Sequence, residues 1–363
     1  MLTVSFVNPV LCLLALVSDW PAVAQRPFES RKIEATPLPP LMAHGEPVAT
    51  REDWERSRHA LRSRWMAILG KFPEIPKSLS VAVHSREDLG RFSREVVSFE
   101  TEGGDRLRAA LLSPPRKDEG KLAAVVVFHE TTPLTYRQPA GLAGDSDRHF
   151  GVELVRRGYV VLCPECFILK PPTDALSPIN VAKAQAAALA MRRPCWTGMG
   201  KLTFDASRCV DYLESLSFVD KGRVGCLGFS LGAKEVLYAM AFEPRFRAGV
   251  ATEGGVGIRM SNWADDWYLG PTINDRLATF DHHQLLALAA PRAVLIQGGG
   301  SADGEKSWPY VAAALPIYRL LGAADRIGLY DHKGKHSFPK AAREVAYRWL
   351  DDWLGHKPMA RSN

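Results

Sequence analysis

From residue 122 onward the apolar residues of this chain come in short unbroken runs: Leu122 to Phe128, Tyr159 to Cys163, Val224 to Leu227, Ala248 to Ala251, Ala293 to Gln297 and Ile327 to Tyr330. Such runs suit strands buried on both faces, which parallel sheets require. Between them the apolar residues follow helical spacing. Ala206, Cys209, Val210, Leu213 and Leu216 recur at i, i+3, i+4 behind Asp205, the expected N-cap. Ala342, Val345, Ala346, Trp349, Leu350 and Trp353 form a stripe on a last helix expected to begin near Ser337-Phe338-Pro339. Upstream, Glu52 to Leu69 reads as a helix with Trp54, Leu61, Trp65 and Leu69 on one side, and Arg94 to Phe99 and Leu107 to Ser113 read as strands joined by the turn Thr101 to Asp105. The alternation predicts an α/β fold, a mostly parallel sheet covered by helices on both faces, with its reactive loops at the carboxyl ends of the strands.

The N-terminal part breaks this pattern. Residues 10 to 17 form an apolar run that ends before Asp19 and is followed by the small-residue pattern Ala22-Val23-Ala24, which reads as a secretory signal over residues 1–24, although no Lys or Arg precedes the run. The run is too short for a bilayer span, which takes about 20 residues. The expected location is therefore secreted or periplasmic. A Pro-rich arm from Pro37 to Pro47 and the first helix occupy residues 25–89, and one catalytic domain fills residues 90–356. At 363 residues, 46% hydrophobic and net charge +6, with Lys and Arg scattered among acids, the chain gives no ground for a nucleic-acid partner. The expected ligand is a small molecule or a carbohydrate. The oligomeric state is not readable. Removing Cys12 with the signal leaves five cysteines: Cys226 inside a strand as an apolar filler, Cys195 and Cys209 able to pair in an oxidising compartment, and Cys163-Pro-Glu-Cys166 as a thiol pair or local disulfide.

The chemistry begins at Gly228-Phe229-Ser230-Leu231-Gly232, a G-x-S-x-G turn between an apolar strand and a helix-forming segment. A serine on so sharp a turn needs small neighbours on both sides, and the next helix aims its free amides at the reacting centre. Ser230 is the expected nucleophile and the N–H of Leu231 half of an oxyanion hole. The second amide is expected from Glu130 or Thr131, after the strand ending at Phe128-His129. The hydroxyl needs a base held by a carboxylate, in the chain order Ser, acid, His. His336, between the last strand and last helix, is the expected base, with His332 as the alternative. Asp303, after the strand ending at Gln297, is the first choice of acid; Glu253 at the tip of the preceding strand is second and Glu305 third. Adjacent His282 and His283 point to different faces with no carboxylate cluster, so no metal is expected, and no cofactor is required. Trp263 and Trp267, in the aromatic segment 261–268, are candidates for stacking on a sugar or aromatic group, or for packing a cap onto the body.

Over residues 90 to 355 the chain resembles the α/β-hydrolase superfamily. It is similar to dienelactone-hydrolase-like and acetyl-xylan-esterase-like serine esterases in His129-Glu130, the Gly228–Gly232 elbow, Phe280-Asp281-His282, Leu285-Leu286-Ala287 and Ala290-Pro291-Arg292. It departs from true dienelactone hydrolases, whose nucleophile is cysteine. A second resemblance is to glucuronoyl esterases, which carry a lysine four residues after the serine and a catalytic glutamate on the following strand tip. Lys234 and Glu253 stand at those positions, and His336-Ser337-Phe338-Pro339 looks like their histidine loop. Phe229 and Leu231 replace that family's Cys and Arg. The resemblance implies a serine esterase with Lys234 and His129 near the substrate. A catalytically silent binding protein and a peptidase are the alternatives, the latter without any preceding repeat of β-blades.

Overall fold

A computed structural model of the chain describes residues 19–33, 37–41, 48–116, 119–170 and 177–359. Its strands are β1 (Ala82–Asp88), β2 (Ser93–Glu100), β3 (Arg106–Ser113), β4 (Leu122–Phe128), β5 (Val160–Pro164), β6 (Val219–Phe229), β7 (Phe246–Thr252), β8 (Ala293–Gly298) and β9 (Ile327–Asp331). The helices are α1 (Trp20–Ala24), α2 (Arg26–Glu29), α3 (Arg51–Leu69), α4 (Phe150–Arg156), α5 (Pro178–Arg192), α6 (Gly198–Ser215), α7 (Leu231–Phe242), α8 (His283–Ala289), α9 (Trp308–Leu320) and α10 (Lys340–Trp353). The strands form one sheet in the order β1-β2-β3-β5-β4-β6-β7-β8-β9. From β5 to β9 every pairing is parallel, while β1, β2 and β3 add an antiparallel edge.

Alternate residues of each buried strand feed opposite cores, as the two-residue period demands. Val126 and Phe128 join α3, α6, α7, α8 and α9 on one face; Val125 and Val127 join α1, α4 and α10 on the other. All four apolar residues expected on the first helix are buried in α3, and the indole N–H of Trp65 donates to Gln284 at 3.0 Å. The sheet begins earlier than the boundary expected at residue 90, because β1 pairs with β2.

Two helix starts differ from expectation. The helix α6 begins at Gly198, capped by the Thr197 hydroxyl, so Asp205 is an interior residue whose carboxylate takes the Lys201 ammonium at 2.6 Å. Lys201 is also held by Glu102 at 2.8 Å and Asp105 at 3.1 Å. A buried cation needing acids one turn away outweighs a cap signal. The last helix α10 starts at Lys340, with Pro339 as its N-cap and no side-chain cap. Cys163, Cys166, Cys195, Cys209 and Cys226 are all free. Cys195 precedes α6, whereas Cys209 lies three turns into it, about 16 Å up the axis, well beyond the roughly 7 Å Cα separation a disulfide spans.

Residues 1–18, which hold most of the expected signal, lie outside the described residues, as does the arm from residue 42 to 47. The remainder of both segments is docked on the body. The Trp20 indole donates to Asp352 at 2.9 Å and packs edge-on against Trp349 at 4.7 Å, while the Gln25 amide reaches the carbonyls of Ala324 and Ile327 at 2.6 Å each. Cleavage after Ala24 would remove the Trp20 contacts with Trp349 and Asp352. The carbonyls of Pro39 and Pro40 accept from His283 and Gln284 at 2.9 and 3.0 Å.

Candidate functional site

Five loops meet at the carboxyl ends of β4, β6, β7, β8 and β9, where parallel strands leave their connections together. At the tip of β6 the chain turns through Ser230, at φ 56 and ψ −113, and enters α7 at Leu231. The glycines on either side permit this. A Cβ on Gly228 would lie 2.1 Å from the Gly232 carbonyl oxygen, and one on Gly232 would lie 2.2 Å from that of Phe128. The strained serine is pinned by its own N–H, which donates to the Thr252 carbonyl at 2.8 Å.

The Oγ of Ser230 lies 3.0 Å from Nε2 of His336. The loop after β9 carries this imidazole, whose ring sits 5.2 Å from that of Phe229. Behind it, Nδ1 stands 3.6 Å from Oε2 of Glu253. Glu253 leaves the tip of β7 with φ 57, and its carboxylate accepts the main-chain N–H of Gly299 at 2.5 Å on one oxygen and those of Ala302 and Asp303 at 2.7 and 3.1 Å on the other. Burial pushes the carboxyl pKa up, but His336 and these three amides outweigh it and hold Glu253 below its ordinary value. It is a buried carboxylate anchor for the imidazole, its charged form favoured by these partners.

Asp303, the first choice of acid, does not reach His336. Its oxygens are taken by the N–H groups of Gly255 at 2.7 Å and Val256 at 2.8 Å and by the Ser307 hydroxyl at 2.7 Å. It braces the loop after β7 against the loop after β8, and thereby Glu253. Two neighbouring strand tips each offer a carboxylate, and only the turn each makes decides which one faces the ring. Glu305 is on the surface, pairing with Arg31 at 2.9 Å. His332 lies 4.0 Å from Oε1 of Glu253, the carboxylate oxygen that does not face His336.

The residues expected near the substrate divide. His129 is buried, with Nδ1 2.7 Å from the Glu130 carbonyl and Nε2 accepting the Cys166 N–H at 3.2 Å. Burial drives its pKa to about 4, so it is a neutral strut tying the loop after β4 to the end of β5, and it has no open face. Trp263 is also buried: its N–H donates to the Gly255 carbonyl at 2.7 Å and its ring takes the Lys234 ammonium at 3.9 Å. Lys234 is 4% exposed and donates to the Ser261 hydroxyl at 2.8 Å. Burial lowers its pKa to about 7, against the attraction of Asp303 and Asp265. Trp267 lines a cavity of about 210 Å³ with Ile168, Leu169, Ile179, Leu231 and Tyr268. Thr131 and Leu231 both line this cavity. The Glu130 carboxylate accepts from Gln138 at 2.6 Å and pairs with Arg148 at 3.3 Å. Burial raises its pKa despite Arg148, its own N–H and Gln138. Arg148, whose guanidinium covers the Phe229 ring at 4.9 Å, carried no signal in the sequence, since it lies in a loop without periodicity. His282 and His283 are structural; the former bonds to the Val256 carbonyl and the Tyr238 hydroxyl at 2.9 Å each.

Fold and site together define an α/β-hydrolase-fold protein with a serine, a histidine and a glutamate in contact at the strand tips. Residues 107–283 match the model of the dienelactone hydrolase family. It is 30% identical over 151 residues to 4-O-methyl-glucuronoyl methylesterase 1 of Sodiomyces alcalophilus, covering 34% of this chain and 30% of that protein. It is 26% identical over 192 residues to carbohydrate esterase MZ0003 of an unknown prokaryotic organism, covering 46% of this chain and 44% of that one. The chain thus spans less than half the length of these relatives. Among solved structures, a glucuronoyl esterase from Solibacter usitatus superposes with a TM-score of 0.67 at 20% identity, covering 88% of this chain and 98% of that one, which establishes a common fold.

Proposed function

We propose that this chain is a serine carboxylic-ester hydrolase acting on a carbohydrate-linked ester outside the cytoplasm. The observation that carries the reading is the contact series from Ser230 through His336 to Glu253. In this mechanism His336 takes the hydroxyl proton as Oγ attacks the acyl carbon, then returns it to the leaving alcohol, and water repeats the sequence on the acyl-enzyme. Glu253 keeps the Nδ1–H tautomer and stabilises the imidazolium. The amide of Leu231, with that of Glu130 or Thr131, receives the charge of the tetrahedral oxyanion. No cofactor enters these steps. The mainly apolar cavity beside Leu231 takes the less polar half of the ester.

Within this class a glucuronate ester is the favoured substrate. The names of the similar proteins support it, as do Lys234 and Glu253 at the positions shared with glucuronoyl esterases. The extracytoplasmic location rests on the apolar run and small-residue pattern of residues 10–24. A fluorophosphonate probe tests the core of the reading: it labels the wild type and leaves Ser230→Ala unlabelled. An unlabelled wild type refutes the nucleophile and leaves a binding protein. Acetylated xylan, a short acyl ester and a methyl glucuronate ester assayed side by side test the substrate, with the last expected to be preferred and that preference lost in Lys234→Ala.

A further inference from the structure

Beside the ester site lies a second, larger cavity of about 480 Å³, within the roughly 300–1,000 Å³ range of small-molecule sites. Its wall carries Arg106, Arg108, Arg137 and Lys170 against a single carboxylate, Glu165. The linear sequence scatters these cations; the fold gathers them. Arg106 and Arg108 alternate on β3 and so share one exposed face of the antiparallel edge. Arg137 comes from the loop after β4 and Lys170 from the segment after β5, which is tied to β3 by the Glu165 N–H on the Arg108 carbonyl at 2.8 Å.

Not all of this charge is free. Arg106 is spent on the carbonyls of Ser80 and Ser98 at 2.6 and 3.0 Å, and Lys170 on Asp105 at 3.4 Å and the Arg106 carbonyl at 2.9 Å. Arg108 and Arg137 are exposed, and among the described residues neither has an ion-pair partner within 4.0 Å. Tyr136 and the His84–Ser98 pair at 2.8 Å supply further hydrogen-bonding groups on the same wall. Cations interleaved with hydroxyl-matching groups suit an acidic sugar better than a bare inorganic anion.

The position of this cavity matters as much as its charge. Thr131 lines the ester cavity and Pro133 the basic one; Leu169 lines the first and Lys170 the second. The same two chain segments, the loop after β4 and the segment after β5, therefore line both cavities. We infer that the basic cavity is a secondary subsite for an unesterified uronate of the same polysaccharide chain whose ester is presented to Ser230. This rests on the proposed function. Its consequence is that the protein holds partly de-esterified, acidic polymer more tightly than a neutral one.

The test separates binding from catalysis. Using the Ser230→Ala protein, calorimetry at low salt measures a xylo-oligosaccharide carrying free glucuronates, a neutral xylo-oligosaccharide of the same length, and inorganic sulfate. The acidic oligomer is expected to bind with a Kd that rises about tenfold in Arg108→Gln/Arg137→Gln and weakens with salt, while the neutral one binds at least several-fold more weakly. Equal binding of both oligomers, an unchanged Kd in the double variant, or sulfate binding as tight as the sugar would each overturn the inference. In the Ser230-containing background the double variant is expected to cleave 4-nitrophenyl acetate at the wild-type rate, with an unchanged melting curve. If small esters are cleaved and the acidic oligomer does not bind, the subsite fails alone. If the oligomer binds and no ester is cleaved, the esterase reading fails alone.

Discussion

Replacing Glu253 by glutamine separates the two carboxylates that the strand tips offer. The Glu253 side chain accepts three main-chain N–H groups and faces His336. In Glu253→Gln one oxygen becomes an NH2 group, which must either confront the amides of Gly299 or of Ala302 and Asp303, donor against donor, or turn out of the site. The negative charge that balances the imidazolium is lost as well, and the Nδ1–H tautomer loses its acceptor. Loss of the orienting carboxylate in a serine–histidine system costs about 10⁴ in kcat, or about 5.4 kcal/mol of transition-state stabilisation. The frustrated amides add about 1–3 kcal/mol of instability. Hydrolysis of 4-nitrophenyl acetate at pH 8, with active sites counted by fluorophosphonate titration and folding checked by circular dichroism, measures the two effects separately. Asp303→Asn is the control: it weakens a brace rather than the imidazole's partner, and is expected to lower the unfolding midpoint while keeping kcat within about tenfold of wild type. A Glu253→Gln protein that is folded and retains a tenth of the activity, alongside an Asp303→Asn protein that loses 10³, would refute the assignment.

Lys234 sets a stability trend with pH. Its folded pKa of about 7 lies below the unfolded value of 10.5, so between those limits the unfolded chain binds the extra proton and stability rises with pH. Urea unfolding of Lys234→Met is expected to be insensitive to this group, so the wild type gains on the variant by about 2–4 kcal/mol between pH 7 and pH 10; parallel curves would contradict the burial of a strained ammonium. Gly232→Ala drives a Cβ to 2.2 Å from a main-chain oxygen and should cost about 2–4 kcal/mol in urea midpoint measurements, with activity lost through displacement of Ser230. A chain beginning at Gln25 lacks the Trp20 contacts with Trp349 and Asp352 and should unfold with about 3 kcal/mol less stability than one beginning at Asp19; urea unfolding of the two chains side by side measures the difference.

Local patterning was sufficient for the framework of this protein. Unbroken apolar runs announce buried parallel strands because no other element hides both faces, and Leu122–Phe128 was readable to the residue. The elbow was readable too, since Gly228 and Gly232 have a steric reason that any chain making that turn must share, and His336 followed from its place after the last strand. What no local pattern decides is which of several groups converge across more than a hundred residues. Asp303 and Glu253 follow adjacent strands, and position along the chain favours Asp303; the positive φ at Glu253 and the amides after β8 turn Glu253 toward His336, while Gly255, Val256 and Ser307 hold Asp303 away. The same holds for His129 and Trp263, whose residue types suggest a substrate and whose burial makes them struts. It holds also for Arg108 and Arg137, which are scattered charges along the chain and one basic wall in the fold, because charge acts through space and burial is a property of the packed whole.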